Sequence, residues 1–441
     1  MKKLAKYFNK NVGVLGLGKS GKAAVKFLLH SKAFVFAYDD NIKIQKELKN
    51  CNWKHFSNWD WKNLSCVVIS PGIKICGEKK HEVVNLAKQH KVKIINEIQL
   101  LMDQKPEGKI IGITGTNGKS TLVSLISHIL TKNNIKNSVG GNIGIPGCLI
   151  SEKGDNSVIV LELSSYQLLS IPSLKLDIST IINITPDHLD FHQNFNSYKN
   201  AKLSILKFLK KDGKFIFNSN DDFLKPIIQS KVEKKKIIKV SNSKKPPYIN
   251  NIQLTGHHNT LICNIATEIC KLLGIKKNDI YKSINNYVKL PHRMEVIYNS
   301  KKLLIVNDSK ATNGDSTAAA LSSYKNILWI AGGLAKKNGI KKPLENIENV
   351  LHIYLIGSSK ELFKKQICNI NSIIPVTECD TLEIAVNSIF NQYKKFTRQI
   401  TILFSPAAAS FDEYKNFEHR GNQFKKIIVK LLHQRFQNVN F

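Results

Sequence analysis

The sequence predicts an α/β protein in three parts: a Rossmann-like N-terminal domain, a central P-loop-type ATPase domain with a mainly parallel sheet, and a C-terminal Rossmann-like α/β domain. Three observations predict it. Residues 12–21 read as a strand, a G-x-G-x-x-G turn and the start of a helix. Residues 109–130 repeat that logic around a second glycine-rich turn. From residue 290 onward, short apolar runs alternate with helical stretches. The chain has 441 residues, which at roughly 150 residues per domain also implies about three. The expected boundaries are 1–101, 102–289 and 290–441.

Composition narrows the class. Hydrophobic residues make up 42% and charged residues 22%, enough apolar material for several cores. No apolar run reaches the roughly 18 residues of a membrane helix, so no membrane insertion is expected. The basic start, Met1-Lys2-Lys3, runs into polar Asn9-Lys10-Asn11 without the apolar core of a signal peptide, which points to the cytoplasm. The eight cysteines (Cys51, Cys66, Cys76, Cys148, Cys263, Cys270, Cys368 and Cys379) lack C-x-x-C spacing and read as buried thiols in a reducing compartment. The net charge is +33, which could suggest nucleic acid. Yet only four of the 66 basic residues are arginines (Arg293, Arg398, Arg420 and Arg435). Base and phosphate readers favour the planar arginine fork, so no nucleic-acid partner is expected. Lys, Asn and Ile are abundant throughout, a pattern of compositional drift; Arg293 and Arg420 nonetheless fall inside motif-like segments.

In the first part, Gly16, Gly18 and Gly21 form the fingerprint and Ser20 sits within it. A second strand, 33–38, ends at Asp39-Asp40, about 20 residues past the glycines, where an acid can meet a ribose or base edge. A third strand, 66–69, ends in Ser70-Pro71-Gly72, and 91–95 is the last strand. The reading is a nucleotide-diphosphate pocket.

The second part holds the most informative segment, Ile111 through Thr121. A strand over 109–113 meets Gly115-Thr116-Asn117-Gly118-Lys119-Ser120-Thr121, and a helical stretch follows over 122–130. That arrangement offers backbone N–H groups and a helix N-terminus to a phosphate. Lys119 would sit on the outer phosphates of ATP, and the Ser120 or Thr121 hydroxyl would face Mg²⁺. The usual first glycine of a P-loop is replaced by Ile113, with glycines instead at 112, 115 and 118, so the loop is a variant. A strand over 158–161 delivers Glu162 at its carboxyl end, suited to hold Mg²⁺ through hard oxygen. A buried strand over 178–184 delivers Asp187-His188-Leu189-Asp190, which makes His188 a second candidate ligand. A helix over 197–208 carries Lys202, and the lysine-rich stretch 229–251 reads as surface loops and edge strands.

The third part alternates strands at 303–306, 327–331, 352–356 and 399–404 with helices from 315, near 381–393 and from 417. The basic amphipathic tail, 425–436, reads as a packed terminal helix.

The segments GTNGKST, Glu162-Leu163-Ser164-Ser165-Tyr166-Gln167-Leu168 and Asn183-Ile184-Thr185-Pro186-Asp187-His188-Leu189-Asp190 resemble the Mur ligase family, which builds the peptide stem of peptidoglycan. The resemblance covers the whole chain. Asn307-Asp308-Ser309-Lys310-Ala311-Thr312-Asn313 and the stretch from Ser405 to Asn422 are most similar to the member that adds D-glutamate to UDP-N-acetylmuramoyl-L-alanine. That resemblance implies an ATP-dependent ligase with those two substrates. ATP phosphorylates the acceptor carboxylate, the amine attacks the acyl phosphate, and phosphate leaves. It also implies two Mg²⁺ sites, a carbamylated Lys202 and a monomer.

Carried over residue by residue, the resemblance makes Lys119, His188, Lys202 and Lys310 catalytic. It makes Ser120, Glu162, His188 and Lys202 metal ligands. The loop 115–121, Asn259, Arg293 and Asp308 would hold ATP. Gly16, Gly18, Ser20, Asp39, Ser70, Gly72 and Asn142 would meet the UDP substrate. Thr312, Lys336, Ser410 and Phe417 would form the D-glutamate pocket. Two positions depart from the family pattern. Ile262 stands where a second adenine-side asparagine is usual, and Asp40 stands where a threonine is common, which favours Asp39 as the substrate contact.

Other classes explain less. A nicotinamide dehydrogenase accounts for the first glycine motif alone. A nucleic-acid ATPase predicts arginine and aromatic clusters on basic stretches, which are absent from the sequence. The rival is another ligase of the family, of the L-alanine-adding type.

Overall fold

A computed structural model describes residues 4–41, 44, 51–150, 154, 156–221, 224–241, 243, 249–254, 256–335, 339–370 and 373–435. The chain forms two compact units, residues 1–246 with 261–284 and residues 247–260 with 285–441.

The first unit contains two parallel sheets. In the first, β1 (Asn11–Leu15), β2 (Phe34–Tyr38), β3 (Asn52–Trp53), β4 (Leu64–Ile69) and β5 (Lys93–Ile95) run in the order β3-β2-β1-β4-β5. Strand β1 is buried on both faces. Val12 and Val14 join one apolar cluster and Leu15 joins another, as a sheet covered by helices on both sides requires. The order reverses between β1 and β4, so the crevice for ligands opens at their carboxyl ends. The first helix begins at Lys19, inside the glycine motif, because the turn feeds straight into it.

The second sheet comprises β6 (Lys109–Thr114), β7 (Asn137–Gly141), β8 (Val158–Glu162), β9 (Leu176–Ile181), β10 (Leu209–Asn218) and β11 (Ile237–Val240), ordered β11-β10-β9-β6-β8-β7. Its buried core includes Leu161, Leu176, Ile181, Phe215 and Phe217. Strand β6 lies between β8 and β9, so the loops after these three strands meet at one edge. The strand expected over 178–184 ends at Ile181. Residues beyond it leave the ladder to wrap the phosphate loop, as Thr116 N donates to Asn183 O at 3.0 Å. The helix expected over 197–208 runs Phe195–Leu203 and tightens to a 3-10 turn, Ser204–Phe208. Within the lysine-rich stretch the described part holds the end of the helix Leu224–Lys231 and the edge strand β11.

The second unit is built on β12 (Glu295–Asn299), β13 (Leu303–Asn307), β14 (Ile327–Gly332), β15 (Leu334–Ala335), β16 (Val350–Ile356), β17 (Val376–Glu378), β18 (Ile400–Phe404) and β19 (Ala408–Ala409). The main sheet runs β12-β13-β18-β14-β16-β17, with β12 antiparallel at one edge, and β15 pairs with β19. Alternate residues serve opposite cores: Ile305, Ile402 and Phe404 face one, Leu304, Val306 and Leu403 the other. The terminal helix Phe417–Arg435 buries Phe424, Ile428 and Leu432 against the first of these. Burying each such side chain contributes about 1.5–3 kcal/mol.

All eight cysteines are free thiols. Five are buried, but Cys51 and Cys76 are half-buried and Cys368 is exposed, so burial is not general. Among the described residues no helix is long and apolar enough to cross a membrane.

Candidate active site

In the first sheet the glycine turn is fastened across the switch point. Ser70 Oγ donates to Gly16 O at 2.7 Å, and Asp39 accepts from Leu17 N at 2.5 Å and from Asn41 N at 2.8 Å. Gly21 packs so tightly that a Cβ there would lie 1.8 Å from Gly16 O. Gly16, Gly18, Ser20, Asp39 and Ser70 therefore cluster at the carboxyl ends of β1, β2 and β4, with exposed Gly72 on the turn beyond. Asp40 points elsewhere, to the His81 ring at 3.4 Å.

The second sheet assembles a denser site. The phosphate loop turns at Gly118 (φ 85°), from which the helix Lys119–Lys132 starts. Left-handed backbone here favours glycine. Asn183 holds the loop from below: its Oδ1 accepts from Thr116 N at 3.0 Å and Asn117 N at 2.9 Å. Thr116 Oγ1 meets Tyr198 OH at 3.0 Å. Lys119 curls back so that its Nζ donates to Gly115 O and Thr116 O at 2.7 and 2.8 Å. Thr121 is buried on the helix beside Ser120.

Glu162, 1% exposed at the end of β8, is the hub. Its Oε2 accepts from Ser120 Oγ at 2.6 Å and its Oε1 from Asn142 Nδ2 at 2.8 Å. A hydroxyl and a carboxylate so placed at a phosphate loop are the hard oxygen donors Mg²⁺ prefers, so this donor set fits that ion. Lys202 is 2% exposed, and its Nζ donates to Gly115 O at 2.7 Å. Burial, then the Lys119 charge, push its amine well below the usual lysine range, against the pull of Asp187 and Glu162. His188 has left-handed backbone (φ 54°), lies 3.5 Å from Asp187 and packs edge-on against Tyr166. The Asp190 side chain lies outside the described residues. Ile262, at the departing position, packs against Gly118: a Cβ on that glycine would sit 3.1 Å from its Cδ1. The nearby Asn264 is engaged with Ser241 O at 2.6 Å.

In the second unit, the loops after β13 and β18 meet. Asp308 accepts from Met294 N at 3.0 Å and Ser405 Oγ at 2.8 Å, and burial pushes its carboxyl up to about 7. Arg293 is half-buried between His292 and Met294, both with left-handed backbone, and is among the charges that pull Asp308 back down. The Lys310 ammonium sits 3.8 Å from the centroid of the Phe417 ring. Thr312 N donates to Lys310 O at 2.8 Å, and Ser410 is buried just after β19. Asn259 is buried on the helix His257–Leu272. Lys336 lies outside the described residues.

Sequence reasoning missed several structural partners. Arg420, 1% exposed, threads the two loops together by donating to Ser309 O, Ala408 O and Ala409 O. Its signal was its rarity in a lysine-rich chain. Asn183 and Gln167 stood inside quoted motifs without an assigned role, and Tyr198 opened the segment that carries Lys202 without one.

The family model for the Mur ligase middle domain matches residues 113–277. The chain is 32% identical to the UDP-N-acetylmuramoylalanine–D-glutamate ligase of Wolbachia sp. subsp. Brugia malayi, covering 97% of this chain and 98% of that one. It is 35% identical to the enzyme of that description from Rickettsia prowazekii, over 96% and 98%. Its fold matches a MurF ligase from Thermotoga maritima in complex with ADP, with a TM-score of 0.60 at 16% identity over 98% of each chain. With relatives this similar over nearly its full length, the chain belongs to the Mur ligase family, among the UDP-N-acetylmuramoylalanine–D-glutamate ligases.

Proposed function

We propose that the protein joins D-glutamate to UDP-N-acetylmuramoyl-L-alanine with ATP, in the cytoplasm, as a step of peptidoglycan synthesis. The single observation that carries the chemistry is Glu162 holding both Ser120 and Asn142 beside the phosphate loop. The γ-phosphoryl group passes from ATP to the acceptor carboxylate, releasing ADP. The D-glutamate nitrogen then attacks the acyl carbon, phosphate leaves, and the amine proton is lost. Lys119 and the loop amides offset charge on the phosphates. Ser120 and Glu162 would hold Mg²⁺, with His188 and a carbamate on Lys202 serving a second ion. When bound, such ions neutralise the developing charge of phosphoryl transfer. The depressed amine of Lys202 supports the carbamate, because only the neutral form adds CO₂.

The functional division we propose follows residues 1–101 for the UDP substrate, 102–289 for ATP and 290–441 for D-glutamate. Gly16, Gly18, Ser20, Asp39, Ser70, Gly72 and Asn142 belong to the first role. Asn259, Arg293 and Asp308 complete the ATP contacts. Thr312, Lys336, Ser410 and Phe417 receive D-glutamate and Lys310 acts as a catalytic residue beside them, and the Lys310 cation next to the Phe417 ring supports a pocket for a small dianion. The test is phosphate release from ATP with UDP-N-acetylmuramoyl-L-alanine, supplying D-glutamate, L-glutamate, L-alanine, L-lysine or diaminopimelate in turn. Release that depends on D-glutamate is expected. Release with another amino acid reassigns the pocket, and none with any amino acid sinks the ligase reading.

A further inference from the structure

Glu97 is a carboxylate with no part in the chemistry above, yet it is 1% exposed. It opens the helix Glu97–Asp103, just after β5, with Asn96 as the N-cap. A buried carboxylate is costly unless donors surround it. Here three do: Gln167 Nε2 at 2.9 Å on Oε1, Gly147 N at 2.7 Å on Oε2, and the Cys148 backbone. Gly147 is also the residue that fits, since a Cβ there would meet Glu97 Oε2 at 2.7 Å.

Both donors lead to the same place. Gln167 turns its Oε1 to Ser164 N and Ser164 Oγ, each at 3.0 Å, closing a capping box two residues past Glu162. Gly147 ends the loop that begins at Asn142, and Asn142 Nδ2 donates to Glu162 Oε1 at 2.8 Å. The contacts therefore close a ring: Glu97, Gln167, Ser164, Glu162, Asn142, the loop to Gly147, and Glu97 again.

We infer that Glu97 is a positioning residue that fixes the Glu162 carboxylate and the Asn142 amide by anchoring the two segments that carry them. The inference rests on the reading of Glu162 as a metal ligand. Donor polarity sets the direction of the ring. Gln167 must point its oxygen at Ser164 and its amide nitrogen at residue 97, so residue 97 must accept there. E97Q is nearly isosteric but puts an amide group where two acceptors are required. One must be lost or Gln167 must flip and release Ser164. The pair E97Q/Q167E reverses the polarity: the new amide donates to the new carboxylate, which still accepts from Ser164.

The test measures Mn²⁺ affinity in the presence of ADP by electron paramagnetic resonance, alongside kcat, for wild type, E97Q, E97Q/Q167E and E162A. E97Q is expected to weaken Mn²⁺ binding and lower kcat by about tenfold or more, the usual range for a partner that orients a metal ligand. E97Q/Q167E is expected to restore both to within about threefold of wild type. E97Q within about twofold of wild type, or a double variant no better than E97Q, overturns the positioning role. If E162A binds Mn²⁺ as wild type does, the metal-ligand reading itself fails, whatever E97Q does.

Discussion

Lys202 Nζ donates a 2.7 Å hydrogen bond to Gly115 O, 87 residues earlier in the chain, and so ties a helix behind the site to the phosphate loop. The amine has almost no water around it and faces the Lys119 charge, so its proton is held weakly. We predict that ¹³C-bicarbonate gives a carbamate resonance in wild type that K202R lacks. K202R, which keeps the charge but cannot take up CO₂, should lose about 100-fold in kcat, the upper end for a ligand-orienting change. An unlabelled protein with full activity would refute the carbamate.

Ser120 and Glu162 share one 2.6 Å hydrogen bond. S120A should raise the Mg²⁺ concentration for half-maximal activity while leaving the KM for D-glutamate within about twofold, because it takes an oxygen from the proposed metal site and a donor from Glu162 but nothing from the proposed D-glutamate pocket. E162Q should lower kcat by on the order of 100-fold, about 2.7 kcal/mol in the barrier. Steady-state kinetics over a Mg²⁺ series decides both.

Asp308 is buried and its carboxyl is pushed up to about 7 from an ordinary 3.8. The folded chain therefore binds a proton that the unfolded chain has released between these values. Its contribution to stability is present in full below about pH 4 and is lost as pH rises towards 7, by about 1.4 kcal/mol per unit. Glu97, also pushed up to about 7, acts in the same window, so the comparison must be between variants. Urea unfolding of D308N should show a shallower fall in stability from pH 4.5 to 7 than wild type. Parallel curves would contradict it.

Phe417 offers its ring face to the Lys310 ammonium at 3.8 Å. Losing a cation–π contact of about 1 kcal/mol should raise the KM for D-glutamate about fivefold in F417A. The KM for ATP should not move. An equal rise in both would place Phe417 in general packing instead.

Much of this was legible in the sequence, for physical reasons. Glycines at 16, 115 and 118 mark places where the chain must turn with positive φ: Gly16 and Gly115 follow the carboxyl ends of parallel strands, and Gly118 caps the helix that comes next. The place of Glu162 at the carboxyl end of β8 was legible from the apolar run before it. The edges were less legible. The strand after Leu176 ends at Ile181 because Asn183 is needed under the phosphate loop, and apolar Ile182 and Ile184 concealed that.

The sequence by itself determined the fold class, the two glycine turns, the order of the strands and helices around them, and the family. These depend on local periodicity and on residue types within a few positions of each other. Only the tertiary structure decided that Lys202 is buried against Gly115, that Arg420 joins the loops after β13 and β18, and that Glu97 closes a ring through Gln167 and Gly147. Burial and hydrogen-bond polarity depend on which distant segments the sheet order brings together, and no single stretch of chain carries that information.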